Sequence, residues 1–371
     1  MEPDTDDLVL RLQASGLRTT VRTEGRVGGA GPSDVSMLWV DDHAVTLDTD
    51  ADRTASSPFE LRAEGNDTFA IYQDGRRVAP ARTQSHPRYY DLTTADGIPY
   101  WKIALLHLDS LASTVLQTCA YWGNDDQCAF CGIAVSLEAG RTTAKKTPAQ
   151  LAEVAVAARD LDGAVDVTLT TGSTRAPDRG ALYVAQCAAA VKEASGLPVE
   201  TQFEPPDDLA VIDQVADLGV DTVGMHVESF DPAVLGRVAP AKARTGIDGY
   251  FRAWERAVER FGVGQVTTYV ILGMGEDPEL TVEGCRRAVD IGVYPFVVPL
   301  RPVAGSLMAE SSPPPHDYVE RIVRRVTPYL AERGLAAETA KAGCSRCQAC
   351  SPMAAVQHQL QIGRKPLPVD G

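Results

Sequence analysis

No uninterrupted apolar stretch in the chain approaches the roughly 18 residues that a membrane-spanning helix needs, so no membrane span is expected. Residues 1–7 carry four acidic side chains and neither a basic nor an apolar segment, so they do not read as a secretory signal. The cytoplasm is the expected compartment. Positive charge is scarce: 35 Lys and Arg face 50 Asp and Glu, leaving a net charge of -15 at pH 7. A field of that sign repels phosphate backbones and argues against nucleic acid as a partner. The glycine-rich stretch at residues 28–31 lacks the Lys-Ser/Thr that completes a phosphate loop, and it reads as a turn. Disulfides are rare where thiols are kept reduced, so the eight cysteines require another explanation.

What is present is the composition of an ordinary globular protein, 44% apolar and 23% charged. With 371 residues there is room for two domains or for one barrel with an appendage. Residues 1–108 are rich in Asp, Gly, Thr and Ser. Short apolar runs at 37–40 and 69–72 are divided by turn signals, which predicts a small β-rich N-terminal domain. From about residue 109 β-branched runs alternate with longer amphipathic stretches, the pattern of βα units on a parallel sheet. Strands are expected at 113–118, 165–171, 199–203, 222–227, 265–272 and 294–300. Helices open near Pro148 and after Gly246. Six such units with right-handed crossovers predict an α/β fold, a partial (β/α)6 TIM-type barrel over 109–310 whose site lies at the strands' C-terminal ends. Residues 311–371 form a third part, a helix near 317–333 followed by a Cys-rich tail. Pro313-Pro314-Pro315 is a stiff connector, and the acidic patches at 4–7 and 48–52 read as solvated surface.

Six cysteines fall into two groups, Cys119/Cys128/Cys131 and Cys344/Cys347/Cys350, while Cys187 and Cys285 stand alone in helical patterns and read as buried, inert thiols. The first group leaves the first barrel strand. Thiolates suit iron–sulfur clusters or zinc. A structural zinc site closes with four ligands, and no fourth Cys or His lies near this loop, which points to a metal centre with one position open to a bound molecule.

These residues resemble the radical S-adenosylmethionine (SAM) superfamily, whose cluster loop follows the first barrel strand and has an aromatic residue, here Phe130, before the third cysteine. The spacing departs from the usual pattern, with eight residues rather than three between the first two cysteines. Further matches follow in order. Thr170-Thr171-Gly172-Ser173 resembles the turn that binds the methionyl amino group, with Ser173 in place of an acidic residue. Glu204 ends the third strand, and His226 and Glu228 end the fourth. Arg244 matches an arginine that pairs with the SAM carboxylate, a task suited to a guanidinium fork. Ile271 and Gly273, in the run ending at Glu276, resemble the adenine-binding turn, with Tyr269 where the family has glycine. The resemblance implies a [4Fe-4S] cluster on Cys119, Cys128 and Cys131, with SAM bound by Phe130, Thr171, Gly172, Ser173, Arg244, Ile271 and Gly273. Glu204, His226 and Glu228 are then candidates for work on a small-molecule substrate. It also implies an external electron donor such as flavodoxin or ferredoxin, and reductive cleavage of SAM to a 5′-deoxyadenosyl radical that abstracts hydrogen from substrate.

More narrowly, residues 28–32, Gln117-Thr118-Cys119, Glu204-Pro205-Pro206, Gly224-Met225-His226 and the terminal cysteine run resemble a subfamily encoded beside nitrilases in bacterial gene clusters. The second cysteine group repeats the two-residue spacing of bacterial ferredoxins but is followed by Ser351-Pro352 rather than a fourth cysteine. It predicts a second iron–sulfur cluster near the barrel mouth, with zinc as the alternative. Two other readings stay open: biotin-synthase-like sulfur insertion drawing on that second cluster, and a non-catalytic two-cluster electron carrier, which would have no use for the SAM-type turns.

Overall fold

The computed structural model describes residues 5–21, 35–41, 43–65 and 68–360; the glycine-rich stretch at 28–31 lies outside them. Six strands build a first sheet: β1 (Arg18–Thr19), β2 (Val35–Val40), β3 (His43–Asp48), β4 (Phe59–Gly65), β5 (Thr68–Gln73) and β6 (Arg76–Thr83), in the order β1-β4-β5-β6-β2-β3. All its pairings are antiparallel except β1 with β4. The turn signals of the first hundred residues thus mark hairpins, and the apolar runs at 37–40 and 69–72 sit in β2 and β5.

A second, open sheet holds β7 (Leu105–His107), β8 (Ser110–Thr114), β9 (Asp166–Thr170), β10 (Val199–Gln202), β11 (Thr222–Gly224), β12 (Val266–Leu272) and β13 (Val293–Pro299), in unbroken sequence order. β8 to β13 run parallel, and β7 pairs antiparallel with β8. The sheet therefore gains a strand from before residue 108. The first parallel strand starts three residues earlier than the β-branched run suggested, because a tight turn at Leu108, with φ 61°, folds β7 onto β8 and fixes where pairing begins.

Helices on the outer face explain the parallel order. In the helix Pro148–Asp162, Thr147 and Gln150 cap one another reciprocally, Pro148 starts the first turn, and Gly163 ends the helix at φ 71°. Its Leu151, Val154, Ala155 and Ala158 are buried against the sheet. The helices Pro232–Val238 and Pro278–Asp290 begin the same way, with Asp231 and Asp277 accepting backbone N–H bonds just ahead of a proline. Cys187 and Cys285 are fully buried on such helices. Among the described residues no helix is long and apolar enough to cross a membrane.

The chain after the helix His316–Glu332 positions the site. It crosses the N-terminal ends of the parallel strands in reverse order. The Gln265 side chain at β12 bonds Thr339 and Lys341, Thr222 in β11 donates to the Ala342 carbonyl, and Glu200 in β10 accepts the Cys344 N–H. Asp166 in β9 accepts from Gly343 and Arg346, and Arg346 reaches on to Asp109 beside β8. The segment then turns up the open side of the sheet, where Ala349 accepts the Thr46 N–H of β3 and Ser351 donates to Val297 of β13. The tail thus forms a floor under the parallel strands, and the β2–β3 hairpin covers the gap between β7 and β13. The acidic patches are partly structural rather than solvated. Asp6 is buried between His43 and His358 at 2.7 and 2.8 Å, and Asp48 holds Arg53 at 2.8 Å.

Candidate active site

Inside the curled sheet lies a cavity of about 410 Å³. Its roof, at the C-terminal ends of the strands, carries Cys119, Cys128 and Cys131; its floor carries Cys344, Cys347 and Cys350. The floor triad is therefore at the end of the lumen opposite the mouth. The reason is the row of polar and acidic side chains at the strands' N-terminal ends, which captures the tail. Asp166 and Glu200 are fully buried there, and burial pushes the Glu200 carboxyl up to about 7.

The roof loop is held by its backbone. Ala120 donates to the Ser173 carbonyl, Ala129 to Val238, and Met308 to Ala129. Gly172 is required by close approach: a Cβ there would fall 2.1 Å from the Thr118 carbonyl oxygen. The predicted Thr171-Gly172-Ser173 turn thus lies against the cysteine loop, and all three residues line the cavity. Phe130 packs with Ile271, Met274 and Leu300. Phe130 and Ile271 also line an adjoining cavity of about 300 Å³ that shares Phe130, Tyr269 and Cys350 with the first. At Gly273, with φ 98°, a Cβ would strike Pro314, and the following turn is fixed by Glu276, which accepts the Gly273 and Met274 N–H groups. Arg244 is not brought in: it lies exposed on the rim, paired with Asp126 of the roof loop. The Gly246 break, at φ 69°, separates it from the main body of its helix.

Glu204, His226 and Glu228 all line the cavity. Glu204 accepts from the Tyr121 hydroxyl at 3.2 Å, and Arg179 lies 3.6 Å away. Glu228 has a left-handed backbone, φ 69°, an unusual conformation for a side-chain-bearing residue. Its carboxylate meets Lys242 Nζ at 2.9 Å, and Lys242 also donates to the His226 carbonyl at 2.6 Å. Burial opposes the Lys242 charge, but the Glu228 carboxylate holds its pKa well above the usual lysine value. Burial, reinforced by that lysine charge, pushes His226 down to about 3, so its imidazole is neutral at physiological pH. His226 Nδ1 accepts the Tyr269 N–H at 3.2 Å, which assigns the proton to Nε2. That Nε2 is buried, has no hydrogen-bond partner among the described residues, and belongs to a ring on the cavity wall.

Lys242 was visible in the sequence as one of a run of basic residues, with nothing to single it out. Tyr269 had a signal, its departure from glycine in an otherwise matching turn. Its ring stands edge-on between His226 and Phe296, and its hydroxyl is 3.1 Å from Cys344 Sγ. His107 had none. It lies on the floor with Nδ1 3.6 Å from Cys347 Sγ and Nε2 3.8 Å from Cys350 Sγ.

Three cysteines at the C-terminal ends of the parallel strands, on the wall of a cavity, are soft donors of the kind that can hold a metal centre. Residues 123–288 match the family model described as Radical SAM superfamily. A stretch of 132 residues is 29% identical to the bacteriochlorophyllide c C-7(1)-hydroxylase of Chlorobaculum limnaeum, covering 35% of this chain and 33% of that protein; the chain thus matches about a third of its curated relative's length. Two solved structures are similar at TM-score 0.45. Methylornithine synthase is 17% identical over 59% of this chain and 62% of its own. A radical SAM methyltransferase from Sphaerobacter thermophilus is 15% identical over 75% and 77%.

Proposed function

We propose that the chain is a radical SAM enzyme acting on a small polar molecule held in the lumen between the two cysteine triads. The observation that carries this reading is the roof: three cysteines of one loop line the same cavity as the Thr171-Gly172-Ser173 turn packed against that loop. A lone tetrahedral zinc, with Zn–S near 2.3 Å, holds its thiolates only about 3.8 Å apart. Among the described residues the metal-type donors drawn within 4.8 Å of one another in a set of three are Asp6, His43 and His358, so neither cysteine triad is that tight. Thiolates not gathered around a single ion leave room for a [4Fe-4S] cluster. When bound, the cluster and SAM supply a reductively generated 5′-deoxyadenosyl radical that takes a hydrogen atom from substrate, given an external one-electron donor.

The chain's own residues bind, orient and enclose. Phe130 and Ile271 offer an apolar wall for an adenine, and Gly172 lets a ligand approach the backbone of the turn. The two adjoining cavities, about 410 and about 300 Å³, together give room for a nucleoside cofactor and a small substrate. His226 Nε2–H is a donor for a substrate acceptor atom. Glu204 offers a carboxylate, and the Glu228–Lys242 pair fixes local charge without exposing either partner to solvent. The second cysteine group we read as the ligand set of an auxiliary iron–sulfur cluster on the floor of the same lumen. The test is anaerobic reconstitution with iron and sulfide, addition of SAM and dithionite, and chromatography for 5′-deoxyadenosine. Its formation is the expected result; its absence from a protein with a full complement of iron would overturn the reading.

A further inference from the structure

The floor triad lacks a fourth cysteine, and what the fold brings to it is His107. This side chain is buried at the end of β7, far from the tail in sequence, with Nδ1 3.6 Å from Cys347 Sγ. Its other nitrogen, Nε2, meets the Thr46 hydroxyl at 2.9 Å. A ligating histidine is normally oriented in this way: one ring nitrogen faces the metal while the other donates its proton to a fixed oxygen. The β7–β8 turn then serves the tail twice. His107 meets Cys347, and Asp109, two residues on, holds Arg346 at 2.6 Å. Two neighbouring tail residues are thereby set in register against one short turn.

The other groups near the triad are weaker candidates. Tyr269 and Gln202 reach only Cys344, at 3.1 and 3.5 Å, and both approach as hydrogen-bond donors to sulfur, while the Thr46 hydroxyl, 3.7 Å from Cys350 Sγ, is a neutral oxygen that accepts from it. Imidazole nitrogen, by contrast, replaces thiolate on iron in known cluster chemistry. On the reading of Cys344, Cys347 and Cys350 as a cluster site, we infer that His107 is the fourth protein ligand of that cluster, through Nδ1. Four protein ligands leave no iron of the floor cluster for a substrate atom. Substrate is then held in the lumen by its side chains alone, and the open metal position belongs to the roof.

The test uses full-length protein labelled with 15N-histidine and carrying C119A/C128A/C131A, so that the floor is the one remaining triad. After anaerobic reconstitution and reduction, pulsed electron paramagnetic resonance reads the nitrogen coupled to the cluster. The expected result is about four irons per chain and a coupling of metal-bound size that changes with the isotope. Replacing His107 with Cys should remove that coupling while iron stays bound. Iron retained in the labelled protein without a bound-nitrogen coupling overturns the assignment of His107 and leaves the floor cluster standing. One zinc per chain, or no metal at all, overturns the floor cluster and the assignment with it. The labelled protein keeps an unaltered His107, so the result does not depend on whether a His107 variant folds.

Discussion

The roof and the floor of the lumen hold the same number of cysteines and are built in opposite ways. The roof triad comes from one short loop whose backbone is tied to neighbouring loops, and its rim pair, Arg244 with Asp126, is exposed. The floor triad rides on a tail that crosses five strands and is fastened by buried charge, with Asp166 and Glu200 beneath it and His107 beside it. On the proposed reading, a local loop around an open metal position fits a site that must admit a cofactor. A tail clamped by buried side chains fits a centre that does not change its partners.

The sharpest way to break this comparison is to remove each triad in turn. C119A/C128A/C131A should abolish 5′-deoxyadenosine formation while circular dichroism stays near that of the parent, because the ligands lie on a loop rather than in the sheet core. C344S/C347S/C350S should lower iron by about half from about eight per chain and preserve cleavage of SAM uncoupled from product. If the floor variant loses cleavage and the roof variant keeps it, the roles assigned to the two ends are reversed.

The next largest effect concerns how the floor is fastened. Asp166 is fully buried and accepts from Gly343 N at 2.7 Å and Arg346 Nε at 2.8 Å. Asp166→Asn removes the charge opposite a half-buried guanidinium and should cost about 3 kcal/mol, the order for breaking a buried pair by deleting one partner. Chemical denaturation of the metal-free protein measures it. A loss below about 1 kcal/mol would place this pair with exposed ones and dissolve the contrast between floor and roof.

Between the two ends, His226 gives the lumen a pH signature. Its pKa is depressed to about 3 by burial and then by Lys242, against about 6.5 in the unfolded chain. The unfolded state therefore binds the proton first, so this contribution to stability is complete above about pH 6.5 and is lost as pH falls toward 3. Over pH 6.5 to 5 the loss should be about 2 kcal/mol. His226→Asn should flatten that part of the stability curve. Parallel curves for parent and variant would mean that the imidazole is not buried neutral.

Much of the parallel sheet could be read from residue order, because alternating β-branched and amphipathic stretches with Pro and Asp caps leave little choice of topology. The roof was legible for the same reason: Cys119, Cys128 and Cys131 lie within thirteen residues, and Gly172 announces a close approach. The floor was legible only as a spacing. Where it sits depends on Asp166, Glu200 and Asp109, ordinary acidic residues until the fold aligns them, and on His107, more than two hundred residues from Cys344. Asp6 was hidden in the same way, since an acidic run looks solvated until His43 and His358 arrive from elsewhere in the chain. Arg244 shows the converse: a motif position places a residue along the chain, and only the fold shows its guanidinium paired with Asp126.

The smallest expected effect comes from that rim pair. Arg244 and Asp126 are 59% and 37% exposed, so water screens their attraction, and holding two side chains together costs entropy that offsets most of the gain. Arg244→Ala should therefore change the unfolding free energy of the metal-free protein by no more than about 0.5–1 kcal/mol. The comparison with Asp166→Asn is the informative quantity, because both variants delete one member of an ion pair and differ in burial. Raising the salt concentration provides the second reading. The small Arg244 contribution should fade within the ionic-strength range where the screening length falls below about 10 Å, whereas the Asp166 contribution should persist. Equal losses that respond equally to salt would mean that the tail is held no more firmly than the loop, and the division of the lumen into an adaptable roof and a fixed floor would fail.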